Sequence, residues 1–242
     1  MGVIIMRTVH IRRFACFAVL SASLLACAEP TLSNDELYHQ AYLNVIEATS
    51  DKIRHLVCLD HDDGNVTWNE AGDKVLLFTF HHYPSSYPDG KEITFSWGES
   101  WLCSVKEYAS WAKQNKGNVK DVLLRHKQLL GVEEAKAHTH ITSMWLDPAK
   151  VFRPAYVTDP TKQMALTFAE GTSETYKEWF QSNFYYSYET KRMPWTRLGY
   201  TYDWSAEAKD RYGLTEFIAW KDTEAIVEKT VTVEAFFATY SE

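Results

Sequence analysis

The strongest constraint on the fold is a period-two alternation in the middle of the chain. Ile93, Phe95 and Trp97 alternate with Thr94 and Ser96. Successive side chains of a strand point to opposite faces, so this pattern predicts a half-buried β-strand. Residues 75–83 just before it are rich in β-formers, and Pro88-Asp89-Gly90 between the two is turn chemistry. The two segments therefore read as a β-hairpin with a wide loop. Residues 137–146 read as a further strand, and 214–220 and 225–233 as two more, joined by Lys221-Asp222-Thr223.

Helices are expected between these strands. Ser33-Asn34-Asp35-Glu36 is a capping box, and Leu37, Ala41, Val45, Ala48 and Leu56 recur near helical spacing, which predicts a helix over 34–56. Ser104 with Glu107 opens a second helix that Gly117 stops. Asn118 caps a third, carrying Val119, Val122, Leu123 and Leu130 and ending at Gly131. Thr172-Ser173 starts a fourth, with Tyr176, Trp179, Phe180, Phe184 and Tyr188 along one stripe. Strands and helices come in mixed order without regular βαβ units, repeats or long linkers. That order predicts one α+β domain over 35–242, a largely antiparallel sheet packed against several helices. The composition, 45% hydrophobic and 24% charged with mean hydropathy −0.34, is globular and excludes a disordered or polytopic membrane chain. A formal charge of −7 excludes a nucleic-acid tracker, which needs a basic face.

The first residues have another character. Arg7, Arg12 and Arg13 precede an uncharged run over 14–26, well short of the roughly 20 residues that span a bilayer as a helix. A basic start, a short apolar run and small residues at its end are the parts of a secretory signal, here 1–26. Leu24-Leu25-Ala26-Cys27 resembles the lipobox of bacterial lipoprotein precursors. The resemblance implies lipidation of Cys27, a tether over 27–34, and membrane contact only through that lipid. Ala26-Cys27-Ala28 also fits the small-x-small pattern of ordinary signal cleavage before Glu29, which would give a soluble periplasmic or secreted protein. Removal of 1–26 takes away three Arg and no acid, lowering the formal charge from −7 to −10. Cys16 leaves with the signal and Cys27 is acylated or removed, so Cys58 and Cys103 are expected to form one disulfide in an oxidising compartment. Such a bridge contributes about 3–4 kcal/mol by restricting the unfolded chain.

Complete catalytic motifs are missing. No G-x-S-x-G, Gly-rich phosphate loop or dinucleotide fingerprint occurs. His81, His82, His138 and His140 are the densest imidazole group: on a strand His138 and His140 would face one way, and His81 or His82 would add a third zinc ligand. Asp60-His-Asp-Asp-Gly-Asn65 is an acidic turn with oxygen ligands suited to calcium, but Gly64 and Ala71 break the EF-hand pattern. Glu99, near Trp97 and Trp101, is the acid in an aromatic setting, and glycoside cleavage would need a second carboxylate such as Asp203 across a cleft, at a distance the sequence does not fix.

Two aromatic segments carry arginine forks. Arg153 and Arg197 suit carboxylate or phosphate, and Tyr200, Tyr202 and Trp204 alternate so that an extended segment presents one aromatic face. Exposed, that face stacks on sugar rings or a partner's side chains. Buried, it is a core strand with Arg197 and Asp203 paired. The expectation is an exported, lipid-anchored envelope protein acting as a binding module for glycan, cell-wall material or an envelope protein, without a cofactor. A zinc-dependent hydrolase on the four histidines and a structural accessory lipoprotein are the alternatives.

Overall fold

The computed structural model describes Gly2 and residues 31–242, so the signal run, the lipobox and Cys27 lie outside the described residues. Eight strands form one antiparallel sheet: β1 (Val75–His81), β2 (Glu92–Thr94), β3 (Ser100–Ser104), β4 (His140–Leu146), β5 (Val151–Phe152), β6 (Tyr200–Tyr202), β7 (Tyr212–Ala219) and β8 (Glu224–Thr232). Their order is β2-β8-β4-β1-β3-β7-β5, with β6 added on β7. Among the described residues five α-helices accompany them: α1 (Asn34–Val45), α2 (Val105–Asn115), α3 (Val122–Leu129), α4 (Glu174–Tyr185) and α5 (Val233–Tyr240). The α+β class with an antiparallel sheet is as the patterning predicts, and Leu32–Glu242 forms one unit. Among the described residues no helix is long and apolar enough to cross a membrane.

The expected hairpin does not form, and β7 and β8 do not pair with each other. β1 pairs along its whole length with β4, from Val75↔Leu146 to His81↔His140, while β2 pairs with β8. The loop after β1 explains the departure, because it docks on β8. Asp89 accepts from Lys229 Nζ at 2.6 Å and from the Thr230 N–H at 2.8 Å, and Thr230 Oγ1 donates to the Tyr87 carbonyl at 2.7 Å. β7 and β8 follow each other in the chain, yet β3, β1 and β4 lie between them. Four inter-strand steps of about 4.8 Å come to roughly 19 Å in a flat sheet, about the full reach of the link over 220–223. The sheet therefore curls to bring those strand ends together.

Alternation sorts the side chains into two layers. Leu77, Leu102, Met144 and Phe217 face one side, where Val57, Leu59 and Phe95 complete a buried cluster. Phe78, Cys103, Ile141 and Leu214 face the other, beneath Tyr108 of α2, Leu129 of α3, and Phe236 and Phe237 of α5. A third cluster joins Ala41 and Val45 of α1 to Tyr176 and Phe180 of α4, with Tyr188, Trp195, Tyr202 and Trp204.

Helix starts follow side-chain caps, with two departures from expectation. Ser33 and Glu36 make the full capping box of α1, but α1 ends at Val45 rather than continuing to 56. Its last carbonyls are taken by cations: Arg197 donates to Val45 and Ile46 at 2.9 and 2.7 Å, and Lys52 to Asn44 at 2.5 Å. Positive charge at a helix C-terminus is favoured by the dipole. Asp121, not Asn118, caps α3, accepting from the Leu124 N–H at 2.9 Å. Ser104 caps α2, but the Glu107 carboxylate reaches β7 instead of returning to the cap, and accepts the Thr215 N–H at 2.8 Å. Burial pushes the Glu107 carboxyl up to about 7, against the lowering effect of its bonds from Tyr212 and Thr215. One glycine is required by close approach. A Cβ at Gly213 would stand 2.2 Å from both the Leu129 carbonyl and Thr201 Oγ1, so β6, β7 and the end of α3 meet there only because the side chain is hydrogen.

Candidate functional site

β1 and β3 pair only at Leu77↔Ser104 and Phe78↔Cys103. Beyond those pairs each strand follows its other neighbour, β1 with β4 and β3 with β7, and the sheet forks. A cavity of about 1070 Å³ occupies the fork, lined by residues 78–83 of one arm and 97–103 of the other. Side chains from both sheet faces reach one cavity because the ladder between the arms has stopped. Opposite the fork stand Trp179, Asn183 and Tyr186 on α4 and the turn after it, with Pro194, Trp195 and Tyr202. The end of α3, Leu130 to Val132, closes a further side.

The walls are aromatic. Trp101 lies 6.3 Å between ring centroids from both Trp179 and Trp195, and Trp179 lies 6.3 Å from Trp195. Trp97 is 92% exposed at the mouth, and Tyr83 and Tyr186 are exposed beside it. Two wall residues hold buried donors with no partner, Trp195 Nε1 and Asn183 Nδ2. A buried N–H normally has an acceptor, and neither of these has one among the described residues. Glu216 and Glu99 add carboxyl groups. Glu216 stands opposite Cys103 in the β3–β7 ladder, on the same sheet face. Its carboxyl makes no hydrogen bond or ion pair among the described residues, and burial pushes it up to about 8.

The histidines do not converge. His81 faces the side of Thr142 and is used on both nitrogens: Nε2 bonds Thr142 Oγ1 at 2.7 Å, and Nδ1 accepts the Tyr83 N–H at 3.0 Å. His140 pairs with it across the strands, the rings 6.5 Å apart. His82 lies on the opposite face with its Nδ1 3.2 Å from that of His138, whose ring edge meets Phe80. The expectation that His138 and His140 face one way fails because β4 begins only at His140, leaving His138 free to turn to the other side. Among the described residues no three His, Cys, Asp or Glu side chains gather to hold a metal. Burial holds His81 and His138 down at about 4. The acidic turn is satisfied internally: Asp60 Oδ1 accepts the N–H of Asp62 and Asp63, and Asp63 accepts those of Cys58 and Asn65.

The disulfide expectation is also corrected. Cys58 and Cys103 are free, buried thiols. The sheet separates them. Cys103 faces Phe78 and Tyr108, whereas the segment bearing Cys58 lies across the other face, with Val57 and Leu59 in the core there. Cys58 Sγ lies instead 3.1 Å from Gln163 Nε2 and 3.8 Å from the Arg153 guanidinium.

The aromatic, arginine-bearing segments are interior. Tyr200, Tyr202 and Trp204 are all buried, so they form no exposed contact face, although Tyr200 and Tyr202 contribute to the cavity wall. Neither arginine fork is open to a ligand. Arg153 is 0% exposed, and its Nη1 and Nη2 donate to the carbonyls of Val57, Asp159, Pro160 and Lys162. Arg197 caps α1 and lies about 5 Å from the Phe184 and Tyr188 rings. Asp203 pairs not with Arg197 but with Arg125, at 2.5 and 3.0 Å. It therefore cannot join Glu99 in a cleft.

Of the residues singled out in the sequence, Glu99, His81, His82, His138, Tyr200 and Tyr202 line the cavity. The reading missed Glu216, Asn183 and Trp195, and took Trp179 only for part of a helix stripe. Glu216 did carry a signal, since it interrupts an apolar stripe between Leu214 and Ile218 on one face of β7. Compared with known protein families, curated proteins and solved structures, the chain matches none.

Proposed function

We propose that this chain is an exported, lipid-anchored envelope protein that binds a saccharide chain in the forked-sheet cavity. The observation that carries the reading is an open cavity of about 1070 Å³ walled by Trp97, Trp101, Trp179 and Trp195. Aromatic faces pack on the apolar faces of sugar rings. A fork opens along the strands, which suits an elongated ligand better than a compact one. The basic start, the short apolar run and the lipobox-like Leu24-Leu25-Ala26-Cys27 support export and anchoring.

Three β-1,4-linked hexasaccharides, of glucose, N-acetylglucosamine and glucosamine, test the reading by calorimetry and tryptophan fluorescence. At least one is expected to bind, and Trp97→Ala is expected to weaken it about three- to tenfold, the loss of one exposed stacking platform of about 0.5–1.5 kcal/mol. If none binds at millimolar concentration, the saccharide reading is wrong and the structural accessory role takes its place. Incorporation of labelled fatty acid, abolished by Cys27→Ala, tests the anchor.

A further inference from the structure

Glu216, half-buried in the cavity wall, stands apart from the other acids of restricted exposure in the described structure. Glu107 has Tyr212 and Thr215, and Asp203 has Arg125. Glu216 has no donor among the described residues, yet it projects from the middle of β7 into the cavity beside Cys103. Glu216 keeps partial exposure through the open cavity, so its carboxyl meets whatever the cavity holds rather than a partner from the described residues.

The surrounding charges say what partner is absent. The cavity lining holds three acids, Glu99, Glu133 and Glu216, one amine, Lys136, and the imidazoles of His81, His82 and His138, of which burial holds His81 and His138 neutral at pH 6. Lys136 is already held by Glu133 at 3.5 Å. All the arginines whose partners the structure gives are engaged elsewhere, Arg125 with Asp203 and Arg153 and Arg197 with main-chain carbonyls. The site therefore has carboxyl groups in excess and an aromatic wall, the two components that recognise an ammonium group. Desolvation pushes the Glu216 carboxyl up to about 8, and a cation beside it would lower it again.

We propose that Glu216 anchors a protonated amine of the bound saccharide, so that the ligand class is a glycan bearing free amino groups. This rests on the saccharide reading above. A hydroxyl or acetamido group in the same place offers no charge to a carboxylate, and the aromatic wall gives it no cation–π attraction.

The three hexasaccharides separate the two claims, because they share one backbone and differ only in hydroxyl, acetamido or ammonium at C2. At pH 6 the wild-type protein is expected to bind the glucosamine hexamer at least tenfold more tightly than the other two, the range for a hydrogen bond to a charged group. Glu216→Gln, nearly identical in shape, is expected to abolish that preference, with its fold checked by thermal unfolding. Glu99→Gln is the control for general attraction of a polycation to an acidic protein, and is expected to keep the preference. Equal binding of all three hexamers overturns the amine proposal and leaves the saccharide reading intact. No binding of any overturns both. A preference that survives Glu216→Gln, or falls equally in Glu99→Gln, overturns the role of Glu216.

Discussion

His126 is predicted to make the fold sensitive to mild acid. The side chain is wholly buried under α5, with Nδ1 donating to the Val122 carbonyl at 2.7 Å and Nε2 accepting from the Tyr108 hydroxyl at 2.5 Å. Both nitrogens are satisfied in the neutral ring, and a second proton would have to displace the Tyr108 donor. Burial, aided by the nearby Arg125 charge, accordingly lowers His126 from 6.5 to about 4. The unfolded chain then takes up the proton more readily than the folded one. The contribution is complete above pH 6.5 and is lost as pH falls towards 4. The full displacement corresponds to about 3 kcal/mol, of which roughly 2 kcal/mol is gone by pH 5. Urea unfolding at pH 7.5 and pH 5.0, for the wild type and His126→Gln, isolates this share. Other groups, including His81 and the raised carboxyls of Glu107 and Glu216, titrate alike in both proteins and cancel in the comparison. The wild type is expected to lose about 2 kcal/mol more than the variant between the two pH values. Equal losses would refute the argument, as would an imidazole resonance of His126 that titrates near 6.5.

Three further outcomes follow from the packing. Gly213→Ala must push its Cβ about 1 Å or more away from Thr201 Oγ1 and the Leu129 carbonyl, disrupting bonds of 2.8 and 2.9 Å, and is expected to cost about 2–4 kcal/mol in a denaturation curve; a change below 0.5 kcal/mol would contradict the close approach. A protein of residues 29–242 purified without reductant is expected to show no fast-reacting thiol when folded and two when unfolded, since Cys58 and Cys103 are free and buried; finding none after unfolding would restore the disulfide. Arg197→Met is expected to destabilise by about 2–4 kcal/mol, because it strips the carbonyls of Val45 and Ile46 of their donor and α1 of its C-terminal charge; amide exchange should then accelerate first in the last turn of α1.

What could be read from the sequence was local. Alternation marked the strands, and Ser33 with Glu36, Ser104 and Ser173 marked three helix starts, because each rests on residues within a few positions of one another. The failures are long-range. Strand pairing after β1 was decided by Asp89 reaching Lys229 and Thr230, a contact across 140 residues. The end of α1 was decided by Arg197, 152 residues away from Val45. A hairpin and a longer helix are what short-range rules return when such partners are out of view.

The candidate site was hidden for a related reason. Its floor exists only because two strands part after two residue pairs, and nothing in either strand marks where a ladder will stop. The aromatic segment that drew most notice, Tyr200 to Trp204, is the one the fold buries, whereas Trp97, the residue that closed the alternating strand, is left in solvent at the cavity mouth. Alternation says that one face is apolar, not which surface covers it. A charged residue inside an apolar stripe is a sharper sign, since the fold must either pair it or leave it to a ligand. Glu107, Arg153 and Arg197 took the first course with partners far along the chain. Glu216 has no such partner among the described residues, and that difference, rather than the abundance of tryptophan, directs attention to the cavity.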